Sequence, residues 1–201
     1  MTTTPDPRDR ILDTAFRLFY AHGVRGVGVD TIIAEAGVAK ATLYKHFPSK
    51  EELAIAYLDR ADITWRAALR AAADAAGPAP RDQLVGLFDA LASACRRDGY
   101  HGCAFINTAA ETDPDSPVHA RTIAHKQAVR EWVRELALQA GAEEPDALAQ
   151  SLTLILDGGL ASGALDASPG APAAAARAAR ALIDTTCPAA KRSAPPTGQP
   201  A

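Results

Sequence analysis

The chain has 201 residues and a mass of 21.0 kDa; 48% of the residues are hydrophobic, 22% are charged, and the formal net charge is −3. Alanine accounts for 46 residues and aromatics for only 5%, which favours helices over pleated sheets and argues against an all-β, collagen-like or disulfide-framework protein. No stretch of about 18 unbroken apolar residues occurs, the first residues are polar, and three cysteines suit a reducing compartment, so we expect a cytoplasmic chain without a membrane-spanning helix.

The first predicted helix is marked at both ends. Asp6 is a capping residue, Pro7 suits the first helical position, and Gly23 suits the position after the last turn. Apolar side chains recur between these ends at helical spacing: Ile11, Leu12, Ala15, Phe16, Leu18 and Phe19. The sequence therefore predicts an amphipathic helix between Asp6 and Gly23.

Two short apolar-periodic segments follow, at residues 29–36 and 40–47, and Gly37 separates them. Short helices joined by a tight turn that contains glycine are typical of the helix-turn-helix motif. Leu43 and Phe47 are spaced as i and i+4, so we expect them to face the core. The polar side chains of this second segment are then left for other faces of the helix.

The rest of the chain predicts a larger helical body. Ser49 and Glu52 form the S-x-x-E pattern of a capping box, which opens a long helix ending at the 77–80 break. Amphipathic segments predict five more helices, at residues 81–97, 103–111, 118–139, 146–165 and 172–186. The composition of residues 188–201 predicts a disordered tail. The sequence thus predicts an all-α fold of about nine helices, with a three-helix head and a larger body.

Charge is distributed unevenly between the predicted head and body. Residues 1–50 carry seven Lys and Arg against five Asp and Glu, a net charge of +2, whereas the remaining residues carry 14 against 19, a net charge of −5. A mildly basic head is compatible with docking on phosphates, although solvated helix faces can produce the same excess.

The segment 29–53 resembles the DNA-binding signature of the TetR family of bacterial transcriptional regulators. The matching residues stand at the family's spacing: Ala36-Gly37-Val38, Lys40, Thr42-Leu43-Tyr44, His46-Phe47 and Ser49-Lys50-Glu51. The resemblance implies a helix-turn-helix DNA-binding domain at 1–50, and a ligand-binding and dimerisation domain at 51–187. It also implies that the helix at 40–47 enters the major groove while the helix at 29–36 braces it.

The resemblance assigns DNA contacts to seven residues: Lys40, Ala41, Thr42, Tyr44, Lys45, His46 and Lys50. Lys40 or Lys45 can donate to guanine, and Thr42 and Ala41 can touch a thymine methyl group. The other three suit phosphates, Lys50 because it stands at the N-terminus of the next helix. The alternative is a small helical core whose polar residues only face water.

Regulators of this family usually hold an effector in the helical body, so the resemblance implies a small-molecule ligand of unknown identity. The candidate contacts are the large or polar residues of the body helices: Trp65, Phe88, Tyr100, Cys103, Phe105, Asn107 and Trp132. The alternative for each aromatic residue is plain core packing.

The resemblance also implies a homodimer, because two heads can read a pseudo-palindromic operator. The last two helices are the expected interface, through a stripe of apolar and small residues: Leu148, Leu152, Ile155, Leu156, Gly159, Gly163 and the alanine-rich run at 173–181. The alternative is that both helices bury this stripe against their own body.

Cys103 allows a second interpretation. It lies at the predicted start of a helix, next to His101 and after Arg96 and Arg97, where a thiol becomes more reactive. A cysteine-based sensor of oxidants or electrophiles is therefore an alternative function, and a small buried core cysteine is the other possibility.

The motifs do not indicate an enzyme. There is no Walker motif, no G-x-S-x-G and no G-x-G-x-x-G, and His119 and His125 are six residues apart with no carboxylate cluster, so we expect neither a metal nor a cofactor. The sequence predicts a ligand-responsive, DNA-binding transcriptional repressor that acts as a homodimer. A constitutive DNA-binding protein with a structural body is the main alternative.

Overall fold

The computed structural model describes residues 6–166 and 170–187. Within these residues the chain forms nine α-helices and no β-strand, which confirms the all-α prediction. The helices are α1 (Pro7–His22), α2 (Val29–Ala36), α3 (Lys40–His46), α4 (Lys50–Ala76), α5 (Pro80–Cys95), α6 (Ala104–Glu111), α7 (Pro117–Gln139), α8 (Pro145–Asp166) and α9 (Gly170–Thr186). We call α1–α3 the head and α4–α9 the body. The tail predicted at 188–201 lies outside the described residues.

Signals in the local sequence account for how these helices begin. Asp6 accepts a hydrogen bond from the Arg8 N–H at 3.0 Å, and Pro7 occupies the first position of α1. Ser49 Oγ accepts from the Glu52 N–H at 3.0 Å, as the capping-box pattern predicts. These bonds satisfy backbone donors that the first turn of a helix leaves without a partner.

The head packs around one small core. Ile11 and Ala15 of α1, Ile32 of α2 and Leu43 of α3 are fully buried. Between α2 and α3 the chain turns at Gly37, whose φ of 62° and ψ of 42° lie in the left-handed region that residues with a Cβ resist. The helix-turn-helix that the sequence predicts is therefore present.

Aromatic contacts join the head to α4. The centroid of the Tyr57 ring lies 5.3 Å from that of Phe16 and 5.7 Å from that of Phe19, both in edge-to-face geometry. One turn further along α4, Arg60 forms an ion pair with Asp13 of α1. The head consequently rests on the first turns of α4 and shares an apolar cluster with the body.

The stripe of α8 that the sequence assigned to a dimer interface packs inside its own subunit. Its leucines are buried: Leu148, Leu152 and Leu156. A Cβ at Gly159 would lie 2.5 Å from Leu91 Cδ2, and one at Gly163 would lie 2.6 Å from Cys95 Sγ, so both glycines allow α8 to approach α5 closely. The prediction that these five residues face a second subunit is therefore wrong, whereas Ile155 is half-buried and the alanine-rich run at 173–181 is partly exposed.

A different side of α8 is uncovered. Leu154 and Leu165 expose 73% and 87% of their surface. Gly158 and Ala161 lie between them on the same exposed side, and we call these four residues the outer stripe. By length and composition alone, α8 is apolar enough over Pro145–Leu165 to cross a membrane, with 39% of that window buried; a core helix of a soluble protein meets the same criterion, so the expectation from the sequence is not contradicted. An apolar helix with one uncovered side is also typical of a protein interface.

Candidate functional site

The outer side of α3 is polar because its apolar residues face inward. Leu43 is fully buried, and so is Phe47, which follows the helix. Arg8 of α1 holds its guanidinium 5.3 Å from the centre of the Phe47 ring. The side chains left on the outer side are exposed Lys40, Ala41, Tyr44 and Lys45, together with half-buried Thr42 and His46.

An ion pair connects α3 to α2 at the surface. Lys40 Nζ donates to Asp30 Oδ1 at 3.2 Å, and both side chains are mostly exposed. Exposed pairs of this kind contribute little to stability because water and salt screen them. The pair therefore restrains Lys40 only weakly, and another acceptor can replace Asp30 at small cost.

α1 fixes the end of α2 and thereby the angle between α2 and α3. Arg10 donates to the carbonyl oxygens of Ala36 and Gly37 at 2.5 Å and 2.8 Å. Arg17 of α1 forms an ion pair with Glu35 of α2. The carbonyl groups at the end of a helix lack partners within it, so Arg10 both satisfies them and holds the turn.

Lys50 lies apart from the outer side of α3. Its Nζ lies 3.5 Å from the carbonyl oxygen of Arg25. Burial lowers the pKa of Lys50, and the nearby Glu111 carboxylate opposes that shift. Lys50 thus stands at the start of α4 in a cleft of mixed charge between the head and the body.

A cavity of about 170 Å³ lies between the head and the body. Four of the residues that the sequence proposed as ligand contacts line it: Trp65, Tyr100, Cys103 and Phe105. Phe16 and Tyr20 of α1 complete its aromatic walls. Sequence reasoning missed these two, because the helical spacing of α1 does not distinguish a residue in the head core from one at a cavity.

The other three proposed ligand contacts lie outside this cavity. Phe88 is buried in the body core. Asn107 is exposed and donates through Nδ2 to the carbonyl oxygen of His101 at 2.7 Å. Trp132 is half-buried, with the Arg70 guanidinium 5.7 Å from its ring centre. The helical pattern identifies the inward face of a helix but not which part of the interior it reaches.

A buried histidine supports the Phe105 wall. The rings of Phe105 and His125 are stacked, with 3.5 Å between centroids and 3° between planes. His125 is 1% exposed, and its Nδ1 lies 2.6 Å from Asp62 Oδ1; Arg121 donates to the same carboxylate at 3.0 Å. Burial lowers the pKa of His125 to about 4, although Asp62 opposes this, so the imidazole is neutral at pH 7.

Cys103 also has a charged neighbour. It is 8% exposed and is the N-cap of α6, one residue before the first turn in which the sequence placed it. Lys126 Nζ lies 3.5 Å from its Sγ and donates to Asp157 Oδ1 at 2.5 Å. The Lys126 ammonium group thus lies between the Cys103 sulfur and the Asp157 carboxylate.

Three hydrogen bonds connect the head to the two ends of the α6 region. Tyr20 donates to the carbonyl oxygen of Gly102 at 2.9 Å and accepts from the His101 N–H at 3.2 Å. At the far end of α6, Glu111 accepts from the Arg25 N–H at 2.8 Å. A displacement of α6 would therefore disturb the head at two separate points.

Comparison with known proteins identifies the family. Residues 11–57 match the sequence family described as bacterial regulatory proteins of the tetR family. The structure is similar to that of SCO4454, a TetR-family transcriptional regulator from Streptomyces coelicolor: the sequences are 38% identical, the TM-score is 0.84, and the match covers 90% of this chain and 96% of that one. The chain belongs to the TetR family. It is therefore a DNA-binding transcriptional regulator.

Curated relatives of this TetR-family chain match over shorter lengths. The HTH-type transcriptional repressor ComR of Escherichia coli (strain K12) is 31% identical over 125 residues, which are 62% of this chain and 60% of ComR. The HTH-type transcriptional regulator LmrA of Bacillus subtilis (strain 168) is 51% identical over 51 residues, or 25% of this chain and 27% of LmrA. The chain thus spans less than two thirds of these relatives, and the LmrA match has the length of a DNA-binding head alone.

Proposed function

We propose that this chain is a ligand-responsive transcriptional repressor that acts in the cytoplasm as a homodimer on a pseudo-palindromic operator, without catalytic activity. Residues 1–50 would bind DNA, and residues 51–187 would hold the effector and the partner subunit. The observation that carries the proposal is the shared cavity: Phe16 and Tyr20 of the head line it together with Trp65, Cys103 and Phe105 of the body. A molecule bound there touches both parts at once.

DNA reading is proposed for the outer side of α3. The seven residues are those named from the sequence: Lys40, Ala41, Thr42, Tyr44, Lys45, His46 and Lys50. The exposure of Lys40 and Lys45 supports contacts with guanine edges, and the hydroxyl group of exposed Tyr44 is a suitable donor to a phosphate. Lys50 would have to leave the Arg25 carbonyl to reach a phosphate, so its contribution is a test of the assignment.

Dimerisation is proposed through the outer stripe of α8 instead of the buried stripe. Leu154 and Leu165 expose more apolar surface than a lone soluble subunit needs to. α9 packs against α8 and has further exposed small side chains: Ala174, Ala178 and Ala181. A two-fold pairing would cover the same stripe on both subunits.

The effector would act by a shift in population. It must prefer the conformation that does not bind the operator, since a ligand with equal affinity for both conformations shifts nothing. The Tyr20 bond to Gly102 and the Glu111 bond to Arg25 give a route from the cavity to the head. The cavity, about 170 Å³, is smaller than the roughly 300–1,000 Å³ of drug-sized ligand sites, which indicates a small effector.

Selection of bound DNA from a random pool tests the DNA-binding part. We expect an inverted repeat with half-sites about one helical turn apart, or a multiple of that. Lys40→Ala and Thr42→Ala should change the preferred bases, whereas Lys50→Ala should weaken all sites alike. Arg130→Ala, an exposed residue of α7, is the control. An unchanged preference with Lys40→Ala would refute the base-reading assignment.

A thiol sensor is the second candidate, favoured by the contact between Cys103 and Lys126. Cys103 lines the cavity, so a reagent in the cavity would meet its sulfur, and Lys126 Nζ lies 3.5 Å from that sulfur. The test is the rate at which the cysteine thiols of the chain are alkylated at pH 7. Cys103→Ser identifies the signal from Cys103, and Cys95→Ser is the matched control. If Cys103 reacts no faster than free cysteine, the sensor role is excluded.

A further inference from the structure

The walls of the cavity are chiefly flat rings. Phe16, Tyr20, Trp65, Tyr100 and Phe105 contribute aromatic side chains from α1, α4, the segment before α6 and α6 itself. The volume of about 170 Å³ is close to the roughly 150 Å³ of an engineered apolar protein cavity that binds benzene. Size and shape therefore suit one six-membered ring with a short substituent.

The hydroxyl groups of these walls already have partners. The Tyr20 hydroxyl donates to the Gly102 carbonyl at 2.9 Å, and the Tyr100 hydroxyl donates to the Leu160 carbonyl at 2.7 Å. Thr64 Oγ1, also at the cavity, donates to the Arg60 carbonyl at 2.9 Å. A ligand that needs several new hydrogen bonds would have to break these existing ones.

The walls also carry no net charge among the described residues. His125, which stacks behind Phe105, is held neutral at pH 7 by burial. Lys126 lies behind Cys103 and donates a hydrogen bond to Asp157 Oδ1 at 2.5 Å, so the two charges balance. At the rim, the adjacent and exposed residues Arg97 and Asp98 are of opposite sign. A charged ligand that entered this cavity would lose its hydration shell, and the walls offer no free charge of opposite sign to replace it.

We propose that the cavity binds a neutral, planar molecule with a single aromatic ring and a short polar substituent directed towards the Arg97–Asp98 rim. The ring stacks against Trp65 and Phe105 and contacts Phe16 and Tyr20 of the head. This inference rests on the proposed effector role, and it names the ligand class that such an effector belongs to.

Isothermal titration of the full chain without DNA tests the ligand class. The probes are benzyl alcohol, benzoate and benzylamine, which share one ring and differ in charge at pH 7. We expect benzyl alcohol to bind at least about tenfold more tightly than either ion, because the walls supply no counter-charge. Tighter binding of benzoate or benzylamine, or no binding of benzyl alcohol, would overturn the proposal.

The two tryptophans of the chain provide a matched pair of variants. Both are half-buried, but only Trp65 lines the cavity. Trp65→Leu should weaken benzyl alcohol binding by about tenfold, since a stacking wall is lost. Trp132→Leu should leave the affinity within about twofold, and its remaining tryptophan fluorescence should change on titration. Equal effects of the two variants would show that the ring binds elsewhere.

Release from operator DNA is measured separately on the DNA-bound protein. Release by saturating benzyl alcohol, lost in Trp65→Leu, supports both the ligand class and the effector role. Binding without release overturns the effector role and leaves the ligand class standing. Release by benzoate alone supports the effector role and overturns the ligand class.

Discussion

The outer stripe of α8 predicts what one substitution does to the oligomeric state. Leu154 exposes 73% of its surface within one subunit, so Leu154→Glu should leave the fold of that subunit almost unchanged. In a two-fold dimer that buries this stripe, each subunit loses an apolar contact and gains a carboxylate at the interface. We expect the variant to be monomeric at concentrations where the wild type is dimeric.

The magnitude follows from the exposed fraction. Full burial of a leucine side chain contributes roughly 1.5–3 kcal/mol, so covering the exposed 73% of Leu154 should stabilise the dimer by about 1–2 kcal/mol per subunit. Two copies lose about 2–4 kcal/mol, which raises the dimer dissociation constant roughly 30- to 900-fold. Desolvation of the two carboxylates adds to this loss.

Sedimentation equilibrium over a concentration series measures that constant, and urea unfolding checks the subunit. Ile63→Glu is the matched control, because Ile63 on α4 is 72% exposed and lies away from the outer stripe. The control should keep the wild-type dissociation constant. If Leu154→Glu keeps it as well, or if the wild type is a monomer at micromolar concentration, the interface assignment is refuted.

Three further outcomes follow from the structure. In thermal unfolding, Gly159→Ala should destabilise the subunit by about 1–3 kcal/mol, because its Cβ would meet Leu91 Cδ2 at 2.5 Å. Gly158→Ala has open space around it within one subunit and should stabilise that subunit by up to about 1 kcal/mol, measured in the Leu154→Glu background; the opposite order would contradict the packing of α8 on α5. His125 has a folded pKa of about 4, below its unfolded value of 6.5, so the unfolded state binds more protons between these values and stability should fall as pH drops from about 6.5 to 4, by on the order of 2–3 kcal/mol. His125→Gln should flatten that dependence in urea titrations, and His119→Gln, a half-buried residue of the same helix, should keep it; an unchanged slope with His125→Gln would rule out this source. Lys45→Ala should lower the slope of log affinity against log salt by about one if Lys45 neutralises a phosphate, and an unaltered slope in a salt series would exclude that contact.

Local patterns were sufficient for most of the fold. Asp6, Ser49 and Gly37 mark helix starts and the turn through hydrogen bonds and dihedral angles set within a few residues, so the helix ends follow from the sequence. The helix-turn-helix was identifiable for the same reason, because its spacing and its glycine are local properties. The seven DNA-contacting residues remain a prediction, since their exposure is compatible with DNA binding without testing it.

Arrangement in space was decided by contacts that no local pattern contains. Whether Leu152 or Leu154 faces a partner depends on where α5 lies, and the close approach at Gly159 turned the expected interface stripe inward. The cavity depends on α1 meeting α4 and α6, which is why Phe16 and Tyr20 line it while Phe88 and Trp132 do not. By itself the sequence determined the helices, their caps and the family signature, because those arise from neighbours along the chain. The tertiary structure alone decided the cavity, the neutral His125 behind it and the uncovered side of α8, because burial and charge pairing join residues that are distant in sequence.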